Sequence, residues 1–375
     1  MKLLMISGDK GIMDEQSDVR RRMHAYARMA DELHIVVLCD RVHQQRTEGN
    51  LFLYPVSGNL VMRRVSAYGA AWRIASRRNI DTITAQSPDE LGLIAYLVAR
   101  SFHLCLQLQV HTDIMSPWYR RAGTIPRLKY MLARFLLPRA NCVRVVSQRI
   151  AVSLTREFAI DPSMISVVAI ATDIHKFIAG ASGAAKKDRG NAACAIISAG
   201  RFLEREKNFS MLIRAMVRVV EKYPAATLVL VGEGPDREYY ESLIAALRLG
   251  RNVFLEPWRW DLDTYFSSFD LFALPSYIEG WGMAVIEAMA AGLAVVMTDV
   301  GVAGEVVRDG INGRVVPVGD QDAFTQALID LCGDPDKRNT LARAGREAIH
   351  HLGPHTEEKY LEQWRKSFDC CKLSV

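Results

Sequence analysis

The chain has 375 residues, half of them hydrophobic and 24% charged, with a formal net charge of +5. That length accommodates two domains, and the composition is that of a folded globular protein, which excludes a disordered or low-complexity chain. The charge is uneven: residues 1–175 carry 23 Lys and Arg against 15 Asp and Glu, leaving 24 against 27 for the rest, so the basic first half points to an anionic partner.

The opening MKLLMIS is too short for the apolar core of a signal peptide and reads as a first strand. The longest nearly apolar stretch, residues 283–297, is interrupted by Glu287 and Gly292, so no transmembrane helix is expected. Seven cysteines without a CxxC pair point to a reducing compartment, a cytoplasmic location and no structural zinc. The adjacent Cys370 and Cys371 could be acylated or oxidised, but read first as part of a frayed tail.

In the first half, short apolar runs at 3–7, 34–39, 51–55, 82–85, 104–110, 142–146 and 165–168 read as strands. Helical spacing fills 17–32, 63–78, 89–101 and 150–158 between them. Such alternation predicts an α/β fold whose parallel sheet is covered on both faces, with ligands at the carboxyl ends of the strands. Two loops at such ends stand out. Gly8-Asp9-Lys10-Gly11 offers backbone to a phosphate, and His111-Thr112-Asp113 offers a histidine able to give a hydrogen bond to a substrate. An isolated histidine in such a loop also fits a structural role.

Residues 117–139 combine Arg120, Arg121, Arg127, Lys129, Arg134 and Arg139, no acid, and an apolar face of Leu128, Met131, Leu132, Phe135 and Leu136. A basic amphipathic helix of this kind can lie on an anionic membrane surface. The same pattern fits a core helix with a solvated basic face. Further on, residues 180–191, GASGAAKKDRGN, have no period and mark a domain boundary.

The second half repeats the alternation. A strand at 195–198 leads into GRFLEREKN, where Arg201 and Lys207 bracket a helix start. Two cations beside helical N–H groups suit a diphosphate, arginine as a bidentate donor and lysine as a point charge; a solvated loop has the same look. The strand at 227–231 ends in Gly232-Glu233-Gly234-Pro235, which lacks the third glycine of a dinucleotide fingerprint. Asp261-Leu262-Asp263 imitates a metal-binding DxD, but Asp261 as a helix N-cap explains it more simply. No metal is expected.

The most informative stretch is 275–291, PSYIEGWGMAVIEAMAA. An apolar strand at 271–274 precedes it, a glycine turn follows, and helical spacing begins at Met283. Glycines at a strand-to-helix junction leave the first helical N–H groups facing whatever is bound, which makes an anion site. The flanking carboxylates, Glu279 and Glu287, accept hydrogen bonds from hydroxyls. A buried helix with two incidental glutamates fits the pattern too.

Glu279 to Glu287 resembles the paired-glutamate signature of the family-4 retaining glycosyltransferases. The resemblance implies the GT-B fold: two Rossmann-like domains facing each other across a cleft. Residues 1–175 would form the acceptor-binding domain, 176–192 a linker and 193–353 the nucleotide-sugar-binding domain, with a helix at 354–370 crossing back to the first. It also implies that Glu279 contacts the transferred sugar and Glu287 the nucleotide ribose, while the backbone of Gly280, Trp281, Gly282, Met283 and Ala284 faces the diphosphate and sugar. By the same resemblance His111 lies near the donor sugar, Arg201 and Lys207 bind the leaving diphosphate, and Gly232 lines the nucleotide cleft. Gly8 stands where the family has two adjacent glycines, and Ala171-Thr172-Asp173 keeps only the acid of the family's glycine-valine-aspartate.

The implied activity is transfer of a hexose from a UDP- or GDP-sugar, with retention, to a glycan or lipid-linked acceptor in cell-envelope polysaccharide or glycoconjugate synthesis. It needs no cofactor and no nucleic acid, and allows peripheral membrane contact through 117–139. An epimerase or hydrolase of nucleotide sugars on the same fold, or a sugar-nucleotide-binding protein without catalysis, are the alternatives. No strand is followed by GxGxxG, which argues against a dehydrogenase.

Overall fold

The computed structural model describes residues 1–170, 172–183, 194–351 and 357–373. Its contacts divide the chain into two compact units, Met1–Ala169 together with Glu357–Val375, and Ile170–Thr356.

The first unit opens with β1 (Lys2–Ser7), α1 (Asp18–Arg28), β2 (Glu32–Leu38), β3 (Arg46–Glu48), β4 (Leu51–Val56), α2 (Leu60–Arg77) and β5 (Thr82–Ala85). It continues through α3 (Glu90–Phe102), β6 (Cys105–Val110), α4 (Pro117–Arg121), α5 (Thr124–Leu136), β7 (Cys142–Val145), α6 (Gln148–Phe158) and β8 (Ile165–Val167). The eight strands are ordered β3-β4-β2-β1-β5-β6-β7-β8. All pair in parallel except β3, a short edge strand antiparallel to β4. Nearly every residue of β1, β2, β5 and β7 is buried, as expected of a sheet with both faces covered.

In the second unit the elements are α7 (Ile174–Gly183), β9 (Ala195–Ala199), α8 (Glu204–Lys207), α9 (Phe209–Lys222), β10 (Thr227–Val231), α10 (Arg237–Ala246) and β11 (Val253–Glu256). Then come α11 (Leu262–Tyr265), β12 (Leu271–Leu274), α12 (Met283–Ala290), β13 (Ala294–Thr298), β14 (Arg314–Val316), α13 (Gln321–Gly333) and α14 (Pro335–His351). The sheet order is β11-β10-β9-β12-β13-β14, all parallel. α9 and α13 pack beside each other, placing Phe209, Leu212, Met216, Phe324 and Leu328 in one buried cluster.

One expectation changes here. The segment expected to begin a linker at 176 is helical: α7 belongs to the second unit, packs on α11 and α12, and buries Ile174 and Phe177. The rest of that linker, 184–192, lies outside the described residues, as does Ala171.

The last helix, α15 (Glu357–Lys366), belongs to the first unit. Trp364 is fully buried and stacks on Tyr26 of α1, with ring centroids 4.1 Å apart. Burying such a ring, on the order of 200 Å², stabilises by roughly 5 kcal/mol before entropy. The tail beyond it is not frayed. Cys371 forms a disulfide with Cys105 of β6, and Cys370 with Cys142 of β7. The expectation of unpaired thiols fails because neither spacing, 266 and 228 residues, is visible in a local pattern. Cys39, Cys194 and Cys332 are free and buried.

Candidate functional site

In the second unit the chain runs outward from β9 to β10 and β11, then returns to place β12 on the other side of β9. Ligands of open parallel sheets bind where the strand order reverses, outside the carboxyl ends of the strands. Here that place is flanked by the segment after β9, with Arg201 in the loop and Lys207 at the end of α8, and the loop after β12, with Glu279.

Backbone and side-chain contacts hold the two loops together. Asn208, in left-handed conformation at φ 52°, ends α8 and starts α9. Its Nδ2 donates to the Pro275 carbonyl at 3.2 Å. The Tyr277 N–H donates to the Glu206 carbonyl at 2.8 Å. Lys207 Nζ thereby lies 2.6 Å from Glu279 Oε1, which also accepts from Ser276 Oγ at 2.8 Å. Lys207, expected to serve a diphosphate, and Glu279, expected to serve sugar hydroxyls, are paired with each other. Ser276 and Asn208 escaped the sequence reading because their roles are set by contacts across the loop.

α12 begins at Gly282, whose φ of 97° and ψ of 54° favour glycine. The N–H groups of its first turn belong to the end of the helix that follows the loop after β12. Gly282, Met283 and Ala284 are half-buried, whereas Gly280 and Trp281 are buried. Glu287 sits one turn into α12, and burial pushes its carboxyl up to about 7. Gly232 follows β10 at the same sheet edge, its N–H bonded to the Glu256 carbonyl, and Arg201 is exposed. The acids of the DxD-like triplet are occupied: Asp261 with Arg259 at 2.8 Å and Asp263 with Lys176 at 3.1 Å. Asp261 stands at the start of α11 but makes no side-chain cap, contrary to expectation.

In the first unit Gly8 and His111 lie at the carboxyl ends of β1 and β6. Gly8 is exposed, and beside it the Asp9 N–H donates to Ser7 Oγ at 3.0 Å. His111 Nε2 lies 3.0 Å from Gln109 Oε1. Burial, then the charges of Arg144 and Arg22, push the imidazole down to about 3, so it is neutral. Gln109 and Arg144 were not singled out in the sequence. The signal was there: in CLQLQVH the residues Cys105, Gln107, Gln109 and His111 alternate with apolar ones, which puts them on one face of β6.

The basic segment does not present one continuous apolar face. Leu136 is buried and Leu132 half-buried, while Ile125, Leu128, Met131 and Phe135 are 66%, 70%, 59% and 43% exposed. A second exposed apolar group, Leu60, Val61, Met62 and Val65, begins α2. The two are tied through α3, where Glu90 pairs with Arg64 and Lys129. No helix among the described residues is long and apolar enough to cross a membrane. Among them, the one trio of side chains close enough to share a metal is Cys105, Cys142 and Cys371, whose sulfurs are in disulfides.

Residues 186–348 match the family model for glycosyl transferases group 1. Over 165 residues the chain is 33% identical to the lipopolysaccharide core biosynthesis glycosyltransferase LpsE of Rhizobium meliloti, covering 44% of this chain and 47% of that protein. Over 225 residues it is 32% identical to a D-inositol 3-phosphate glycosyltransferase of Rhodococcus jostii, covering 56% and 49%. The matched region thus spans about half the length of these relatives. In structure the chain is similar to Anabaena HepE in complex with UDP and glucose, with a TM-score of 0.76 at 18% identity, covering 98% of this chain and 99% of that one.

Proposed function

We propose, for a chain of GT-B fold whose second unit belongs to the group 1 glycosyl transferases, that it is a retaining glycosyltransferase using a nucleoside-diphosphate hexose. The observation that carries this reading is the Lys207–Glu279 pair at the point where the second sheet reverses its strand order, beside the start of α12. The chemical task is to break an anomeric C–O bond while negative charge grows on the diphosphate and positive charge on the sugar. Arg201, Lys207 and the first N–H groups of α12 stabilise the diphosphate as preorganised donors. Glu279 accepts from sugar hydroxyls and Glu287 from the ribose, with the backbone of Gly280 to Ala284 and the Gly232 turn lining the nucleotide. His111 and Gly8 of the first unit are assigned to the donor by the family resemblance. With retention, the acceptor attacks on the face the diphosphate leaves, and a diphosphate oxygen takes the acceptor's proton. Transfer is proposed to need neither metal nor cofactor.

The names of the relatives favour a cell-envelope or inositol-linked acceptor. The basic, apolar surface of α5, extended by the start of α2, is assigned to peripheral contact with an anionic membrane. A panel of UDP- and GDP-sugars, scored by release of the nucleoside diphosphate and by calorimetry, tests the reading; no release and no binding across the panel would overturn it.

A further inference from the structure

The first unit's sheet carries a row of buried polar groups where a parallel sheet is normally apolar. Thr84 on β5, Gln107 and Gln109 on β6 and Arg144 on β7 are 0%, 0%, 2% and 2% exposed. The register pairs Thr84 with Gln107 and Gln109 with Arg144. Each such group costs free energy unless it is hydrogen-bonded, and the C-terminal helix supplies partners. Gln107 Nε2 donates to the Ser367 carbonyl at 2.8 Å and to Ser367 Oγ at 3.0 Å. Arg144 Nη2 donates to the Tyr360 hydroxyl at 3.0 Å, which also bonds the Tyr26 hydroxyl. Among the described residues no carboxylate pairs with Arg144. A cation held in this interior without an acid is expensive, and its partners are the Gln109 oxygen and the Tyr360 hydroxyl.

The donors in this row leave one solution. Thr84 Oγ1 donates to Gln107 Oε1 at 3.0 Å and therefore accepts from Gln109 Nε2, also at 3.0 Å. That fixes the Gln109 amide with its oxygen toward Arg144 Nη1 at 3.2 Å. An arginine donates only, so Gln109 cannot be flipped. The same oxygen faces His111 Nε2, so Nε2 must carry the hydrogen and Nδ1 the lone pair.

We infer that Thr84 and Arg144 are positioning residues that hold the Gln109 amide from its two ends and so keep His111 in the Nε2–H tautomer, presenting Nδ1 as an acceptor to a substrate hydroxyl. This rests on the reading of His111 as a donor-contacting residue, and reverses the sense expected from sequence, in which the histidine gives the hydrogen bond. The charges felt at the ring are Arg144 from β7 and Arg22 from α1; Tyr26 and Tyr360 face Arg144, and Asp113, two residues on, has its carboxyl pushed up by burial. α15 is thus more than a cover for the sheet, since it holds the far end of the chain of bonds that orients His111.

The test is nitrogen-15 imidazole spectroscopy of the whole protein without donor, with the His111 signal assigned by comparison with His111→Gln. The expected pattern is Nε2–H with no titration between about pH 5 and 8, the range in which an ordinary histidine changes charge. That pattern is lost and the tautomers mix when both holds on Gln109 are removed together, in Thr84→Val with Arg144→Met. Gln109→Met removes the acceptor that His111 Nε2 faces and serves if the double variant does not fold. An Nδ1–H pattern in the native protein, an ordinary titration, or an unchanged signal in Gln109→Met overturns the inference. Because no donor is present, failure of the sugar panel leaves this result standing, and the reverse also holds.

Discussion

Lys207 Nζ and Glu279 Oε1 are 2.6 Å apart, with the two side chains 19% and 10% exposed. The pair links the first loop of the second unit to the loop after β12, so each residue positions the other as well as any ligand. Lys207→Ala and Glu279→Gln are each expected to lower nucleoside diphosphate release roughly 10²–10³-fold, the usual scale for losing one preorganised electrostatic group. Since the two touch, the double variant should lose less than the product of the single losses. Steady-state release assays on all three variants check this, and strictly multiplicative losses would mean that the pair does not act as a unit.

Glu287 makes stability depend on pH. Its carboxyl titrates near 4.5 in an unfolded chain and at about 7 when folded. Between those values the folded state holds more protons, so stability is fully present below about 4.5 and falls as pH rises through 7. The span corresponds to an upper bound of about 3 kcal/mol. Glu287→Gln removes the group, and its Tm should change less between pH 5 and 8 than that of the native chain. Calorimetric scans at the two pH values decide; equal slopes would contradict the raised pKa.

How far the sequence reached depends on how local each signal was. The parallel strands and the 279–287 stretch were legible because apolar period and glycine turns are written within a dozen residues. Most of α7 was read as linker because the small and charged residues from Gly180 onward have no period. Instead Gly180 is a close-packing position, where a Cβ would fall 2.4 Å from the Asp263 carbonyl oxygen. The Gln109–Arg144–Tyr360 contacts join residues up to 251 positions apart, counting from Gln109 to Tyr360, and the alternation in β6 announced only the first of the three. The cysteine pairs were illegible for the same reason.

Those pairs give a direct chemical prediction. Under denaturing, non-reducing conditions an alkylating agent should label Cys39, Cys194 and Cys332 only, and all seven cysteines after reduction. Peptide mapping should recover Cys105–Cys371 and Cys142–Cys370. Because each bond closes a loop of more than two hundred residues, reduction should destabilise the first unit by about 2–5 kcal/mol, read as a lower Tm in reductant. Seven labelled cysteines without reductant would show the tail unbonded.

The surface of α5 leads to the last prediction. Leu128, Met131 and Phe135 are exposed beside Arg127 and Arg134 on the same helix, with Phe135 also meeting Tyr96 edge-on and Arg139 over its ring. Replacing all three by serine should cost little stability, since exposed substitutions usually change it by less than about 0.5 kcal/mol. If they insert into a membrane interface, each contributes roughly 1–2 kcal/mol, so the triple variant should bind anionic vesicles at least about 100-fold more weakly. Arg127→Gln with Arg134→Gln should weaken binding too, and should flatten its dependence on salt, because those residues act through charge. Flotation with vesicles of anionic and of neutral lipid separates the two contributions. Equal recovery of native and triple-serine protein with anionic vesicles would remove this helix from the membrane surface.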